Sequence, residues 1–499
     1  MRTVTGRTDQ VIVVGAGLGG LSCAIRLAAA GRDVTVLERA DRPGGSAGRF
    51  EQGGYEFDTG PTVLTAPELI DELLATVGER LSDWLELTRL TPAYRAHFPD
   101  ASTLDVIADT AAMAAEVSRV CGPREADGYL RFAGHVRELW RLERADFIDR
   151  NLESPRDLLT ANLVRLVAAG GFRSLQGKVN RFFRDPRTRR IFSFQSMYAG
   201  LAPHDALGLY AVIAYLDSVS GVYHPRGGIH SLPTALAAVA EKHGVTIRYG
   251  APVERVETRD GRATGVVLTD GDLVRGDVVV LNPDLPVAYR DLLGSRPPSR
   301  PFWLGRPKYS PSCVVLHVGS TAEYAGIAHH NIHFGRAWRG TFEEVIRRGR
   351  LMSDPSLLVT NATRTEPALA PAGRHTYYVL APTPNLATAT LDWSGGLAEE
   401  YQAQLIATLE QRGYTGFGAG IEVSRFVTPD DWAAAGMAAG TPFASAHTLR
   451  QTGPFRPGNL HPGLSNVVFV GSGTQPGVGV PMVLVSGRLA AERVTGPRP

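Results

Sequence analysis

The pattern that most constrains this chain lies at residues 10–38. An apolar run, VIVVGAG, is followed by Leu, Ala and Ile at helical spacing and then by a second apolar run, VTVLE. This order predicts a strand, a glycine-rich turn, a helix from about Leu18 to Ala30 and a second strand. Parallel strands joined in this way form a right-handed crossover. We therefore expect an α/β, Rossmann-like domain.

The turn carries the spacing of a dinucleotide site. Gly15, Gly17 and Gly20 form GxGxxG, and Glu38 ends the second strand. Glycines allow the tight turn and let a pyrophosphate approach the N–H groups of the helix start, while the acid accepts hydrogen bonds from ribose hydroxyls. A purely structural turn is the alternative. The flanking strands and the spaced acid favour dinucleotide binding, and the acid disfavours a 2′-phosphate.

Two further glycine-rich segments fit the same site. Gly44 and Gly45 follow the second strand, and the chain then leads to Gly60, Pro61 and Thr62. The paired glycines permit close approach of the backbone to a ligand, and a flexible loop is the alternative interpretation. Near the C-terminus a second strand–turn–helix pattern indicates FAD, because the flavin and adenine ends of FAD need separate supports. The start of the helix in this pattern could stabilise negative charge on the reduced flavin ring. Its candidate residues are Gly471, Gly473, Thr474, Gly479, Val480, Pro481 and Met482.

The rest of the chain alternates in character. Residues 67–215 show mostly helical spacing and predict a helical insertion. Asp260-Gly261 and Asp270-Gly271 separate short β-branched runs and predict hairpins. The proline-rich stretch 292–307 predicts a crossing into another segment. Beyond it we expect strands over SCVVLHVG, TYYVLAP and NVVFVG and a helix over GLAEEYQAQLIATLEQRG.

Composition excludes several classes of protein. The chain has 499 residues, with 52 Lys and Arg against 50 Asp and Glu, so a formal charge of +2 argues against a nucleic-acid binder. Cys23, Cys121 and Cys313 are too few and too far apart for a disulfide framework, which fits a reducing compartment. The first ten residues lack a secretory pattern, and apolar runs are too short to span a membrane. We expect a cytoplasmic protein.

Several segments together resemble the bacterial-type phytoene desaturases of carotenoid biosynthesis. They are VIVVGAGLGGLSCAIRLAAAG, DRPGG, FDTGPTVLT, FSFQSMYAG, YHPRGGIHSLPTALA and VFVGSGTQPGVGVPMVLVSGRLAA, which span nearly the whole chain. The resemblance implies an amine-oxidase-like fold, FAD, attachment to a membrane surface, and stepwise dehydrogenation of phytoene toward lycopene with a quinone or oxygen as electron acceptor. It also implies Arg39 and Val253 as cofactor contacts.

The resemblance suggests how the chain divides into domains. A discontinuous FAD-binding domain with a β-meander would comprise 8–70, 220–290 and 425–499. A mixed substrate-binding domain would comprise 71–150 and 291–424, and a helical, membrane-associating region would be 151–219.

Three positions depart from the family pattern. Ser46 stands where an Arg is common after the glycine pair, and Gln475 stands where a His is usual before the C-terminal Pro-Gly. Thr160 replaces an Arg one turn after Asp157. The first two affect how the cofactor is held.

A hydrocarbon substrate has no polar handle, so its binding requires a long apolar cavity. A base must also take the proton that leaves beside the hydride. The resemblance points to Arg156 and Asp157 as catalytic residues. The competing interpretation is helix capping, because Ser154-Pro155-Arg156-Asp157 reads as an N-cap Ser, Pro at the first helical position and an acid at the third.

Residues 156–190 combine basic and apolar side chains. Against Asp157 and Asp185 they hold nine cations: Arg156, Arg165, Arg173, Lys178, Arg181, Arg184, Arg187, Arg189 and Arg190. Interleaved Leu, Val and Phe residues predict a basic amphipathic face on anionic lipid, against the alternative of a solvated helix packed on the core.

His329, His330 and His333 superficially suggest a metal site. Their strand-like context lacks other ligands at suitable spacing, so we expect no metal and ordinary polar side chains near the surface. Other functions stay open. They are a related desaturase or oxidase acting on another C40 or C30 polyene, a non-catalytic escort protein that binds isoprenylated partners, and, less favoured, an amine oxidase.

Overall fold

The chain forms an α/β fold around a parallel sheet, as the sequence predicts, with a larger sheet and a helical layer beside it. The computed structural model describes residues 1–297 and 306–497. Residues 298–305, within the predicted proline-rich crossing, lie outside the described residues. The domain boundaries expected from the sequence stay a prediction.

The strands of the described residues follow one another along the chain in this order. They are β1 (Gln10–Val14), β2 (Asp33–Leu37), β3 (Arg49–Gln52), β4 (Tyr55–Asp58), β5 (Leu87–Arg89), β6 (Tyr94–His97), β7 (Thr103–Val106), β8 (Tyr223–Pro225), β9 (Thr246–Arg248), β10 (Val253–Arg259), β11 (Arg262–Leu268), β12 (Leu273–Arg275), β13 (Val278–Leu281), β14 (Ser312–Ser320), β15 (His330–His333), β16 (Leu357–Thr360), β17 (His375–Thr383), β18 (Ile421–Val427) and β19 (Val467–Phe469).

The helices of the same residues include an uninterrupted series, α3 to α8, between β7 and β8. They are α1 (Leu18–Ala29), α2 (Glu68–Leu74), α3 (Thr110–Cys121), α4 (Pro123–Glu143), α5 (Ala161–Ala168), α6 (Leu175–Val179), α7 (Pro186–Ile191), α8 (Val212–Tyr215), α9 (Ser231–Lys242), α10 (Leu285–Val287), α11 (Arg339–Phe342), α12 (Ala398–Gln411), α13 (Pro429–Ala434) and α14 (Val480–Thr495). Short 3₁₀ and π turns connect several of them.

The parallel sheet brings the two ends of the chain together. Its strand order is β19-β13-β1-β2-β9, so the last strand joins the same sheet as the first. β1 and β13 are nearly continuous runs of buried Val and Ile, as expected for strands covered on both faces. Helices α1 and α14 pack against each other on this sheet. The predicted strands at residues 10–14, 33–37 and 467–469 are confirmed.

The predicted hairpins are confirmed in the meander β10-β11-β12. Asp260 and Gly261 both adopt positive φ, 50° and 74°, which matches the tight turn between β10 and β11. The larger sheet has the order β18-β14-β17-β16-β15-β6-β7. Within it β14 lies between β18 and β17, is buried throughout and runs antiparallel to β17, so the strands expected over SCVVLHVG and TYYVLAP are also confirmed.

The expectation of helix throughout residues 67–215 is wrong for residues 87–106. Strands β5, β6 and β7 lie there, and β6 and β7 complete the larger sheet. Buried and partly exposed side chains alternate along both strands, which is the period of a half-buried strand. Each strand is too short for that alternation to stand out from the surrounding helical spacing.

The basic stretch 156–190 does not form one amphipathic face. Capping residues Ser174 and Asp185 start new helices, so the stretch divides into α5, α6 and α7. Lys178 donates to the carbonyl oxygen of Ala169, and further cations are held by protein acceptors, namely Arg187, Arg189 and Arg190. Arg156, Arg165, Arg173, Arg181 and Arg184 stay exposed.

The histidine cluster is buried, so its expected position near the surface is wrong. His330 and His333 lie in β15, inside the larger sheet. Each ring bonds a different hydroxyl group: His329 that of Thr365, His330 that of Thr360 and His333 that of Tyr414. Burial lowers the pKa of His330 to about 3. Within residues 1–297 and 306–497, no group of side chains is arranged to hold a metal ion.

Candidate active site

A cavity of about 1140 Å³ opens at the carboxyl ends of the parallel strands. Val14, Leu37 and Phe469 line it at the ends of β1, β2 and β19, and Asn282 lines it just after β13. Ligands of open α/β sheets bind at this edge. The same cavity extends past the larger sheet into the helical layer.

The first glycine turn is shaped to receive an anion. Gly17 is the N-cap of α1 and has no side chain to cap the helix, and the first turn of α1 carries no acid, so the helix start meets the cavity without a carboxylate of its own. Gly15 has a φ of 100°, which favours glycine. Both residues, which the sequence predicts as cofactor contacts, line the cavity.

Gly20 lies behind the turn and does not line the cavity. A Cβ atom there would stand 2.2 Å from the carbonyl oxygen of Gly15. The Gly20 N–H donates to Asn282 Oδ1 at 3.1 Å, which fixes the turn to the segment after β13. Gly20 therefore allows close helix–strand packing, while Gly15 and Gly17 are left to face a ligand.

Glu38 and Arg39 lie at the end of β2 and line the cavity. The Glu38 carboxylate accepts from the backbone N–H groups of Ala16, at 2.7 Å, and Ala40, at 2.9 Å. It therefore fixes the glycine turn and stands beside the position that a ribose would take. Arg39 donates to the carbonyl oxygen of Ala435, and Val253 closes this end of the cavity.

The second glycine segment crosses in front of the first. Gly44 donates to the carbonyl oxygen of Ala16 at 2.9 Å, and Gly44 and Gly45 both have positive φ. A Cβ atom on Gly60 would stand 2.0 Å from the Ser46 carbonyl oxygen, so this loop needs glycine. Pro61 and Thr62 follow and also line the cavity. Ser46 thus contacts the Gly60 loop through its backbone.

The C-terminal segment supplies the second support. Helix α14 begins at Val480 with Gly479 as its N-cap, without a side-chain cap or an acid in its first turn. The segment lines the cavity through the predicted residues Gly471, Gly473, Thr474, Gly479, Val480, Pro481 and Met482. Buried Arg456, which sequence patterns do not single out, donates to the Thr474 carbonyl oxygen at 2.9 Å, and burial lowers the pKa of its guanidinium to about 10.

These residues fit FAD. One cavity is lined by residues from both ends of the chain. They include two helix starts without acids in their first turns, an acid at the end of β2, and glycines at which a Cβ atom would clash. The first helix start and Glu38 suit the pyrophosphate and adenosine ribose, and α14 suits the flavin end. When bound there, FAD supplies a two-electron hydride acceptor.

The structure places Arg156 and Asp157 outside the cavity lining. Asp157 Oδ2 accepts from the backbone N–H groups of Glu153, at 2.7 Å, and Ser154, at 2.8 Å, in a capping box. These hydrogen bonds hold the pKa of Asp157 below its ordinary value. This geometry favours the capping interpretation. The catalytic role of Arg156 and Asp157 stays a prediction, because neither residue lines the cavity.

Polar groups that the sequence did not assign to this site also line the cavity. They are the buried Glu143, Asp217, His330 and His447 and the partly buried Asp284. Distant segments contribute them, so no local spacing marks them. Burial holds the pKa of Glu143 well above its ordinary value and that of His447 well below it, so it disfavours the charged form of both groups.

The far part of the cavity is apolar and aromatic. Its walls come from α4, the helical layer and the larger sheet, and include Trp140, Phe147, Leu166, Phe172, Phe194, Leu209, Ile213, Leu216, Phe334, Trp338 and Phe342. Such a chamber binds a ligand through buried apolar area and excludes water from it. The apolar cavity that a hydrocarbon substrate requires is therefore present, and residues of the predicted helical insertion form part of its wall.

Comparison with known proteins decides the family. A family model described as flavin containing amine oxidoreductase matches residues 18–495. The chain belongs to this family. It is 54% identical over 500 residues to a phytoene dehydrogenase of Streptomyces griseus, covering 100% of this chain and 97% of the relative. It is 38% identical to a zeta-carotene-forming phytoene desaturase of Myxococcus xanthus, covering 97% and 93%.

The family membership confirms the resemblance to bacterial carotenoid desaturases, the FAD cofactor and the class of enzyme, an oxidoreductase acting on CH–CH bonds. A solved structure of wild-type putrescine oxidase bound to putrescine superposes with a TM-score of 0.62 at 16% identity, covering 97% of this chain and 98% of that chain. This likeness confirms the amine-oxidase-like fold.

Proposed function

We propose that this desaturase dehydrogenates phytoene toward lycopene by successive hydride transfers to FAD. The observation that carries the proposal is the continuity of one cavity of about 1140 Å³ from the glycine loops into the apolar chamber. A long hydrocarbon placed there would bring its allylic C–H bonds to the flavin end while its chain stays out of water. The names of the relatives, phytoene dehydrogenase and phytoene desaturase, support this substrate.

The chain's own residues bind and orient the substrate. Apolar side chains from α4 and the helical layer replace water around the polyene, and each buried Å² of apolar surface contributes roughly 25 cal/mol. Tyr378 donates to the carbonyl oxygen of Gly60 at 2.9 Å and so fixes the loop that meets the chamber. Walls that exclude water prevent it from adding to the substrate while the substrate is being oxidised.

Coexpression with a phytoene-producing pathway tests the substrate. We expect pigments with more conjugated double bonds than phytoene, resolved by chromatography and absorption spectra. A strain that accumulates unchanged phytoene, but converts another supplied C40 or C30 polyene, would instead establish a related desaturase or oxidase.

The escort function makes a different prediction. A protein that only binds isoprenylated partners needs the apolar chamber but not FAD turnover. Purified protein supplied with FAD should show flavin absorbance that bleaches anaerobically with phytoene in micelles. Protein without flavin absorbance would favour the escort function.

We further propose that the enzyme acts in the cytoplasm on the surface of a membrane and passes electrons to a quinone or oxygen. Apolar side chains are exposed around α5: Leu159 is 77% exposed, Val164 69% and Val167 56%. Exposed Phe172 both belongs to this patch and lines the cavity. A lipid-soluble substrate could therefore pass from the bilayer to the chamber. Among the described residues, no helix is long and apolar enough to cross a bilayer.

Liposome flotation tests the surface. Leu159→Glu combined with Val164→Glu should abolish flotation with anionic vesicles, while Leu273→Glu, an exposed apolar residue of the meander, should not. Arg165→Glu should weaken binding to anionic vesicles and leave neutral vesicles unaffected. Equal flotation of all variants would contradict the proposal.

A further inference from the structure

Asp217 is a buried carboxyl group in the wall of the apolar chamber. It lies in the π turn 216–220 that follows α8, is 6% exposed and lines the cavity beside Ile213 and Leu216. An ionisable group surrounded in this way is costly, and residues kept in such positions are candidates for function.

The contacts of Asp217 leave one oxygen available. Gln195 Nε2 donates to Asp217 Oδ2 at 3.2 Å and also lies 3.3 Å from the Tyr94 hydroxyl oxygen. Asp217 Oδ1 is buried and has no hydrogen-bond partner within residues 1–297 and 306–497. Tyr94 opens β6 and Gln195 lies in the turn 194–199, so three separate segments hold this carboxyl group.

The surroundings of Asp217 set its protonation. Burial raises its pKa to about 7, and hydrogen bonds from Gln195, from the backbone at Asp217 and Ser218 and from Tyr94 oppose that rise. The titratable side chains that face it are Tyr94 on β6, Tyr198 in the turn 194–199 and Tyr129 on α4, and burial raises the pKa of each. All three are therefore neutral hydroxyl groups near pH 7, and Asp217 is the group among them that exchanges a proton there.

The other carboxyl groups near the chamber are less suited to accept a proton. Burial raises the pKa of Glu143 well above its ordinary value, so its charged form, the one that accepts a proton, is strongly disfavoured. Asp284 Oδ2 is engaged by the N–H of Ala438 at 2.8 Å and lies beside the C-terminal glycine loop. Asp157 does not line the cavity. Glu143 Oε1 and Asp284 Oδ1 are unpartnered too, so what distinguishes Asp217 is its place in the wall of the apolar chamber, away from the glycine loop, together with a pKa of about 7.

We propose that Asp217 is the residue that accepts the proton when a double bond forms in the substrate. The inference rests on the proposed function and deepens it. One C–H bond breaks with both electrons passing to FAD as a hydride, which leaves an allylic cation on the substrate. The adjacent C–H bond then breaks, its electron pair forms the new C=C bond, and the proton goes to the Asp217 carboxylate. FAD is reduced by two electrons as the substrate is oxidised by two.

The carboxylate has a second effect in this position. Its negative charge lies in a chamber from which water is excluded, where it stabilises a neighbouring allylic cation more strongly than it would in water. Between turnovers a residue that titrates near neutrality can return the proton to solvent without a large barrier.

Anaerobic flavin bleaching by phytoene in micelles tests the role. Asp217→Asn should bind FAD within about twofold of wild type but reduce it at least ~100-fold more slowly. Asp205→Asn is the matched control, because Asp205 is half-exposed, pairs with Arg347 and lies outside the cavity lining, and it should reduce FAD normally. Normal bleaching by Asp217→Asn would overturn the proposal. Wild-type protein that never bleaches with phytoene would instead contradict the proposed function.

The pH profile separates catalysis from a structural role. The wild-type rate of flavin reduction should increase with pH through a pKa near 7. In Asp217→Asn this rising limb of the pH profile should be absent. Gln195→Met removes the donor to the charged form while keeping the shape, so it should move the limb to higher pH. If Asp217→Asn fails to bind FAD, an unmoved limb in Gln195→Met would overturn the proposal.

A spectroscopic measurement without substrate supplies an independent readout. Infrared titration of FAD-bound protein should show a protonated carboxyl band that disappears near pH 7 and is missing from Asp217→Asn. A band unchanged in that variant would mean that another group titrates, and Asp217 would not be the acceptor.

Discussion

Gln475 holds the main chain of Leu152 on both sides. Its Oε1 accepts from the Leu152 N–H at 3.0 Å, and its Nε2 donates to the Leu152 carbonyl oxygen at 2.9 Å. The same amide group donates to the carbonyl oxygen of Gly453 at 3.1 Å. The departure from the family pattern at position 475 thus connects the C-terminal glycine loop to the segment that leads to Asp157 and α5.

We expect Gln475→Ala to loosen this connection. Each lost hydrogen bond leaves a buried backbone group unsatisfied, and one such group costs roughly 1–3 kcal/mol of stability. The melting temperature of the FAD-bound protein should fall by a few degrees, measured by differential scanning fluorimetry. Gln411→Ala, at the exposed end of α12, should change it by less than about 1 °C. Equal melting temperatures would show that the contact does not stabilise the site.

Gly20→Ala should disrupt the first glycine turn. The new Cβ atom would meet the Gly15 carbonyl oxygen at 2.2 Å, so α1 would have to move away from β1. We expect loss of FAD binding and a lower yield of folded protein, measured by the flavin-to-protein absorbance ratio. Gly134→Ala in α4 is the control, because nothing lies within 4 Å of its added Cβ atom and alanine favours the helix by about 1 kcal/mol.

Glu38→Ala should weaken FAD binding without unfolding the protein. It removes an acceptor suited to ribose hydroxyl groups and frees the backbone N–H of Ala16. Loss of about 1.4 kcal/mol corresponds to a tenfold higher dissociation constant, which quenching of flavin fluorescence measures. Glu241→Ala, exposed on α9, should bind FAD as wild type does. Unchanged affinity in Glu38→Ala would contradict the assigned role.

The stability of the protein should depend on pH through Asp217. Burial raises its folded pKa to about 7 from the ordinary 3.8, so folding favours the protonated form. That contribution is complete below about pH 4 and is lost as the pH rises through 7. Asp217→Asn should therefore melt a few degrees above wild type at pH 9, and the gain should disappear toward pH 4. A difference that is constant over pH would contradict burial of an ionisable Asp217.

Local patterns in the sequence were sufficient to select the glycine-rich segments that the structure brings to one cavity. Gly15, Gly17, Glu38 and the C-terminal glycine loop were predicted because tight turns and close approach to a ligand restrict residue type at fixed spacing. The strands that support these turns were predicted from a different local pattern, because a buried parallel strand is a continuous apolar run. The strands at residues 94–106 were missed, because a four-residue alternation is a weak signal among helices.

What the sequence by itself determined is therefore the identity and position of the turns, because their backbone geometry depends on neighbouring residues. Only the tertiary structure decided which side chains meet across the chamber. Asp217, Gln195 and Tyr94 come from three segments whose order in the chain carries no signal of contact. Their protonation depends on burial, which is a property of the packed chamber and not of any local pattern.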